Sequence, residues 1–279
     1  MKGVRADRKT EMPLTSKIGN AEFTVLNAGS FWSDAGAAMG ILPWAIWKKS
    51  LVTDDKNRIQ AAINLLLIKS EGKNILVDTG LGNRLTETDY KHFNPETASL
   101  PELIRAAGTD PEAMDFVILT HLHFDHAGGI VTHRNGKDYL AFPNAVHVIN
   151  RKEWEIAVKP DLLNNAAYDY ESNLKLLDTR GNVLLVDQNF AITSEVMVEH
   201  VGGHTNGMQV VWIRSNGAKG CYPADILSRE ANLKIPLCFA YDVCRKETAA
   251  AKIAILNELK EANGWLFLNH DMDNAYIKF

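Results

Sequence analysis

Apolar positions in the first third of the chain come in short runs with strand character. Phe23 to Leu26, Ala61 to Lys69 and Asn74 to Val77 read as strands, the last running into the turn Asp78-Thr79-Gly80. Leu100 to Ala107 switches to helical spacing and stops at Gly108, and Phe116 to Leu119 reads as a buried strand that empties into Thr120 and a histidine-rich loop. Further strands are predicted at Ala145 to Ile149, Val183 to Val186, Val196 to Val201, Met208 to Ile213 and Gly220 to Pro223. Thr248 is predicted to cap a helix reaching Ala262, with Ile253, Leu256 and Leu259 as its apolar stripe; Asn263-Gly264 closes it before a strand from Trp265 to Leu268. The mixture predicts an α/β (α+β) protein in which two sheets are covered by helices.

No repeat, low-complexity tract or linker interrupts the pattern, so residues 1–279 are read as a single domain. Residues 1–58 stand apart as an N-terminal extension, because Phe31 to Leu51 concentrates Trp32, Trp44 and Trp47 with Met39, Ile41 and Leu42. Core packing, a substrate-pocket wall formed by Trp44 and Trp47, and a homodimer contact all remain open for this segment. A hydrophobic content of 46% with 23% charged residues is that of a globular protein and argues against disorder. A formal net charge of -4 without any basic cluster speaks against a nucleic-acid partner. The longest apolar stretch, Ala61 to Ile68, is broken by Asn64 and is too short to span a bilayer, so no membrane partner is expected. Met1 to Thr10 is basic but leads into no apolar run, which makes a cytoplasmic location the expectation. Cys221, Cys238 and Cys244 are odd in number, lack Cys-x-x-Cys spacing and are read as free thiols.

Candidate chemistry is concentrated in Thr120-His121-Leu122-His123-Phe124-Asp125-His126-Ala127-Gly128-Gly129. Imidazoles packed this densely repel when protonated and strand polar nitrogens when buried; a divalent cation relieves both problems. On an extended backbone His121 and His123 share a side and can chelate one ion, while a turn after Phe124 swings Asp125 and His126 toward a second. Three later residues each follow an apolar strand: His204 in Gly202-Gly203-His204-Thr205, Asp225 after Pro223, and His270 after Leu268.

Together these residues resemble the signature of the metallo-β-lactamase-fold hydrolases over roughly Ala61 to His270, and most closely the lactonase and organophosphate-hydrolase branch. The resemblance implies a four-layer αβ/βα sandwich, two mixed sheets flanked by helices, with the site at one edge. It also implies that His121, His123 and His204 hold a first metal, that Asp125, His126 and His270 hold a second, and that Asp225 bridges them. Asp78 is then a supporting residue that orients a ligand imidazole.

The implied cofactor is a pair of divalent ions, with zinc the first choice and iron, manganese or cobalt accepted by the same donors. Such a pair about 3.5–4 Å apart lowers the pKa of a bridging water, and the hydroxide attacks the carbonyl of a lactone or ester, such as an N-acyl homoserine lactone. Asp125 is the candidate proton relay. A phosphotriester or phosphodiester hydrolase and a non-enzymatic metal-dependent sensor are the alternatives. Flavodiiron relatives carry Glu where this chain has His123, and glyoxalase II carries His where this chain has Met208, so neither branch fits. Acyl-homoserine lactonases commonly place a tyrosine three residues after the bridging aspartate; that position is Ser228 here, leaving Tyr222 and Tyr241 as the hydroxyls to weigh as replacements.

Overall fold

The computed structural model describes residues 14–49, 51–162, 165–180 and 182–279. The first sheet contains β1 (Leu14–Ile18), β2 (Ala21–Asp34), β3 (Arg58–Ser70), β4 (Lys73–Val77), β5 (Glu96–Thr97), β6 (Phe116–Ile118), β9 (Val146–Asn150) and β10 (Val183–Val186). A separate hairpin, β7 (Val131–Arg134) and β8 (Lys137–Leu140), lies between β6 and β9 in the chain. The main order is β1-β2-β3-β4-β6-β9-β10, with β5 pairing β2 off this path. The second sheet runs in sequence order through β11 (Phe190–Ala191), β12 (Val196–His200), β13 (Gln209–Ser215), β14 (Ala218–Tyr222), β15 (Trp265–Phe267) and β16 (Tyr276–Lys278).

Both faces of the first sheet are buried, and the alternation along its strands assigns side chains to two cores. Leu66, Ile68, Ile75, Val77 and Ile118 join Val198, Val210 and Leu266 of the second sheet between the two sheets. Their neighbours Leu65, Leu67, Leu76 and Val117 point the other way, against Leu100, Ile104 and Leu177. The latter three belong to the helices α4 (Leu100–Ala106) and α7 (Lys175–Arg180) of the outer layer, which follow α1 (Ala35–Met39), α2 (Trp44–Trp47) and α3 (Glu87–Phe93) and enclose α5 (Phe124–Ala127) and α6 (Arg151–Val158) in chain order. On the second sheet, α8 (Arg245–Glu261) adds Ala251, Ile255, Leu256 and Leu259 to the core. Sheets face each other with helices outside, which is the expected four-layer arrangement.

Two expectations need adjusting. The last helix begins at Arg245, with Cys244 at the cap; Thr248 lies inside it, buried, and Ile253 is 47% exposed, so Ile255 takes its place in the apolar stripe. Residues 1–58 do not all stand apart either: β1 and most of β2 pair within the first sheet, while the basic segment Met1 to Thr10 lies outside the described residues. Among the described residues, no helix is long and apolar enough to cross a membrane.

β4, β6, β9 and β10 run parallel, so the loops leaving β4 and β6 emerge together at one sheet edge. Loops leaving β12, β14 and β15 of the second sheet reach that same edge. Strand exits at the carboxyl ends of parallel strands are the usual place for chemistry in such sheets.

Candidate metal centre

The loop after β6 carries His121 and His123, and the short α5 turn that follows presents Asp125 and His126. The Asp78 turn packs directly on this loop. Thr79 N and Oγ1 both donate to His126 O, at 2.7 and 2.8 Å. Two glycines make the approach possible: a Cβ on Gly128 would meet Leu81 O at 2.3 Å and one on Gly129 would meet Thr79 O at 2.2 Å. The second sheet delivers the remaining groups. His204 follows Gly203, whose φ of +91° favours glycine; Asp225 sits on the turn after β14; His270 follows β15.

All seven predicted ligands come together. His121, His123 and His204 form one group, His121, His126 and Asp225 a second, and Asp125, His126 and His270 a third, each with its ligand atoms within 4.8 Å of one another. Within the first group, His123 Nδ1 stands 3.1 Å from His121 Nε2 and 3.2 Å from His204 Nε2. Nitrogens bound to one tetrahedral zinc at about 2.0–2.1 Å are separated by about 3.4 Å, so the spacing suits such an ion. Asp225 occupies the middle: Oδ1 is 3.1 Å from His270 Nε2 and 3.4 Å from His126 Nε2, and Oδ2 is 3.3 Å from His204 Nε2. Asp125 Oδ2 closes the far side, 3.4 Å from His270 Nε2.

Four of the five imidazoles are oriented by a partner on the outer nitrogen. His126 Nδ1 donates to Asp78 Oδ2 at 2.8 Å, His204 Nδ1 to Asp242 Oδ1 at 2.8 Å, and His270 Nδ1 to Ala62 O at 2.8 Å. Thr120 Oγ1 donates to Asp78 and accepts from His121 Nδ1 at 3.1 Å, so Asp78 also steadies His121 through one hydroxyl. With Nδ1–H committed outward, Nε2 of all four rings turns its lone pair toward the centre. His126 Nε2 is buried there with no hydrogen-bond partner among the described residues.

The electrostatics point the same way. Burial, with the neighbouring imidazoles, holds His121 and His123 well below the usual histidine pKa, leaving both as neutral lone-pair donors. Burial also works against the charged form of His126, but Asp125, Asp225 and Asp78 outweigh it and raise its pKa well above the ordinary value. At Asp225 burial is overcome by His270, His126 and His204, which hold its carboxyl well below the usual range. Burial is likewise outweighed at His204, by Asp225 and Asp242, so the carboxylates draw positive charge onto His126 and His204. Divalent cations would supply that charge in place of protons and free both rings to ligate, which makes the donor set a fit for them.

Several supporting residues carry no local sequence signal. Asp242 lies far from His204 in the chain, Asn269 Nδ2 donates to Asp225 Oδ1 at 2.7 Å, and Glu153 is a fully buried carboxylate on α6. Glu153 Oε1 accepts from Leu122 N at 3.0 Å and Tyr168 Oη at 2.8 Å, and Oε2 from Thr205 Oγ1 at 2.6 Å, so one side chain joins the two loops that bear His121 and His204. The predicted pocket residues lie as follows. Trp44 is 53% exposed, whereas Trp47 is buried with Met39, Ile59, Leu237 and Phe239. Ser228 is buried, its hydroxyl donating to Asn232 Oδ1 at 3.2 Å and its carbonyl accepting from His270 N. Tyr222 is buried with its hydroxyl donating to Asn64 O at 2.9 Å, while Tyr241 is half exposed and sits 5.6 Å from the His204 ring. A cavity of about 260 Å³ adjoins the histidine loop, with Phe93, Phe124 and Tyr168 on its aromatic side and Arg84, Asp89, Asp169 and Asn173 on its polar side. The Tyr168 ring lies 5.1 Å from that of His123.

The sequence model of the metallo-beta-lactamase superfamily matches residues 59–263. An N-acyl homoserine lactonase of Bacillus thuringiensis is 26% identical over 221 residues, covering 74% of this chain and 80% of that protein. The solved structure of a probable metal-dependent hydrolase from Staphylococcus aureus superposes with a TM-score of 0.87 at 26% identity, covering 94% of each chain. AidC, a dizinc quorum-quenching lactonase, superposes with a TM-score of 0.75 at 24% identity, covering 94% of this chain and 92% of that one.

Proposed function

Since the chain belongs to the metallo-beta-lactamase superfamily and is a metal-dependent hydrolase, we propose that it holds two divalent cations and cleaves a small lactone or ester. The observation that carries this reading is the convergence of five imidazoles and two carboxylates, in overlapping groups that share His121 and His126, at the edge where both sheets end. His121, His123 and His204 would hold one ion, Asp125, His126 and His270 the other, and Asp225 would reach both. The nitrogen-rich donor set of the first group favours zinc.

Cations bound there would supply Lewis acidity toward a carbonyl oxygen and a water acidified to near neutrality. The protein's own groups do the rest. Asp78, Asp242 and the Ala62 carbonyl keep the ligand rings aimed, which avoids reorganisation during turnover. Asp125, buried at 8% exposure, would pass a proton between water and the departing alkoxide. The cavity beside Phe124 and Tyr168 offers aromatic surface for part of a substrate, with Arg84, Asp89, Asp169 and Asn173 as polar partners. Residues 14–279 would act as one hydrolase domain, because both sheets contribute to the single site.

The test is a side-by-side assay of zinc-loaded protein on an N-acyl homoserine lactone, a 4-nitrophenyl ester and an aryl phosphotriester. Preference for the lactone or ester supports the reading; turnover of the phosphotriester alone contradicts it.

A further inference from the structure

Arg229 follows Ser228, whose carbonyl anchors the His270 backbone at 3.0 Å. Its Nη1 donates to Gln60 O at 2.9 Å, and two residues along the same strand Ala62 O accepts from His270 Nδ1 at 2.8 Å. Carbonyls two residues apart in a strand point from the same edge and are separated by about 7 Å. The guanidinium therefore stands roughly that distance from the imidazole of a candidate metal ligand, at the same edge of β3.

This arginine is under-used for its burial. Among the described residues, Gln60 O is the acceptor its guanidinium bonds, and its Nε is buried without a partner. The nearby carboxylate of Asp271 is spent on backbone amides, Oδ2 on Glu230 N and Oδ1 on Asp273 N and Asn274 N. Burial lowers the Arg229 pKa, and the negative charges of Asp271 and Asp225 only partly offset it. A half-buried guanidinium with free donors is costly unless an acceptor completes it. Tyr241 supplies a second open donor: its ring stacks on Phe239 at 5.0 Å, Ala240 N is fixed to Ala37 O at 2.9 Å, and Val243 N to His204 O at 3.2 Å, yet its hydroxyl bonds no described residue.

We propose that Arg229, with the Tyr241 hydroxyl beside it, is a specificity-determining site for a carboxylate borne by the substrate, so that the preferred lactone or ester is an anion. The inference rests on the hydrolase reading above and narrows its substrate class. A guanidinium matches a carboxylate with paired donors, and at this distance from His270 the anionic group would lie a few bonds from the carbonyl under attack.

Two matched substrates test it with the zinc-loaded full chain: 4-nitrophenyl hexanoate, which is neutral, and the 4-nitrophenyl half-ester of adipic acid, which carries a free carboxylate. Wild type is expected to favour the half-ester in kcat/KM. Arg229→Gln, which retains a donor for Gln60 O, should reduce the ratio of half-ester to hexanoate by about 10- to 100-fold, chiefly through KM. Tyr241→Phe should shift the ratio the same way by a smaller factor. Calorimetric binding of adipate, with zinc content measured alongside, gives a readout independent of turnover and should weaken in Arg229→Gln at unchanged zinc. An unchanged ratio, or adipate binding equal in both proteins, overturns the proposal. If neither ester is hydrolysed, the hydrolase reading fails, while the calorimetry still decides the role of Arg229.

Discussion

Asp78 Oδ2 and His126 Nδ1 are 2.8 Å apart and both are buried, so the charge on one side chain sets the tautomer of the other. Asp78 accepts this bond from a left-handed backbone, φ +59°, and reaches His121 through Thr120 as well. Changing Asp78→Asn replaces an acceptor with an amide and loosens two candidate ligands at once. Zinc affinity should fall by about 10- to 100-fold. A competitive chelator titration measures it, and unaltered affinity would remove Asp78 from the account.

Glu153 is a larger structural commitment. Truncation by Glu153→Ala leaves the Leu122 amide and the Tyr168 and Thr205 hydroxyls without their acceptor in a buried setting. Unfolding free energy in urea should drop by about 3 kcal/mol. Glu153→Gln, which keeps an acceptor oxygen, should lose less.

His147 is buried in β9, and burial pushes its pKa from the usual 6.5 down to about 4. Above pH 6.5 the ring is neutral in both folded and unfolded chains and adds no pH dependence. Below that, the unfolded chain takes up a proton that the buried ring refuses, so stability falls with pH until the folded value near 4 is passed. The full loss is on the order of 3 kcal/mol. His147→Leu should flatten this acid limb relative to wild type in urea unfolding at pH 7, 5.5 and 4.5; parallel curves would refute the assignment.

The two tryptophans of α2 should separate cleanly. Trp47 is 3% exposed within its own small core, and Trp47→Ala should cost about 3–5 kcal/mol. Trp44 lies outside, its ring under the Lys48 ammonium at 4.1 Å, and Trp44→Ala should stay within about 0.5 kcal/mol. Thermal melts of the two variants make the comparison.

Much of this architecture is readable from the chain because strand alternation is local. Ala61 to Lys69 and Asn74 to Val77 announce themselves by composition, and the structure pairs them as β3 and β4. The histidine loop is equally local, and its crowding points to a cation site. What escapes is non-local. Asp242 and Glu153 act across 38 and 52 residues on His204 and Thr205, and no spacing rule links them. Thr248 resembles a cap in sequence, whereas its amide closes the first turn of α8 on Cys244 O at 3.1 Å, and Cys244 N is itself tied to Gly203 O beside the His204 loop. Trp44 and Trp47 stand three residues apart on one helical turn, yet one is exposed and the other buried, a division that clustering of aromatics in the sequence does not reveal.

Elemental analysis of the purified protein and of Asp225→Ala tests the central claim most directly. Asp225 faces His126, His204 and His270 together, so its loss should affect both positions. Wild type is predicted to retain about two equivalents of divalent metal and the variant to lose metal and turnover together. Metal-free wild-type protein that still hydrolyses its substrate, or an Asp225→Ala protein with undiminished metal and rate, would contradict the account.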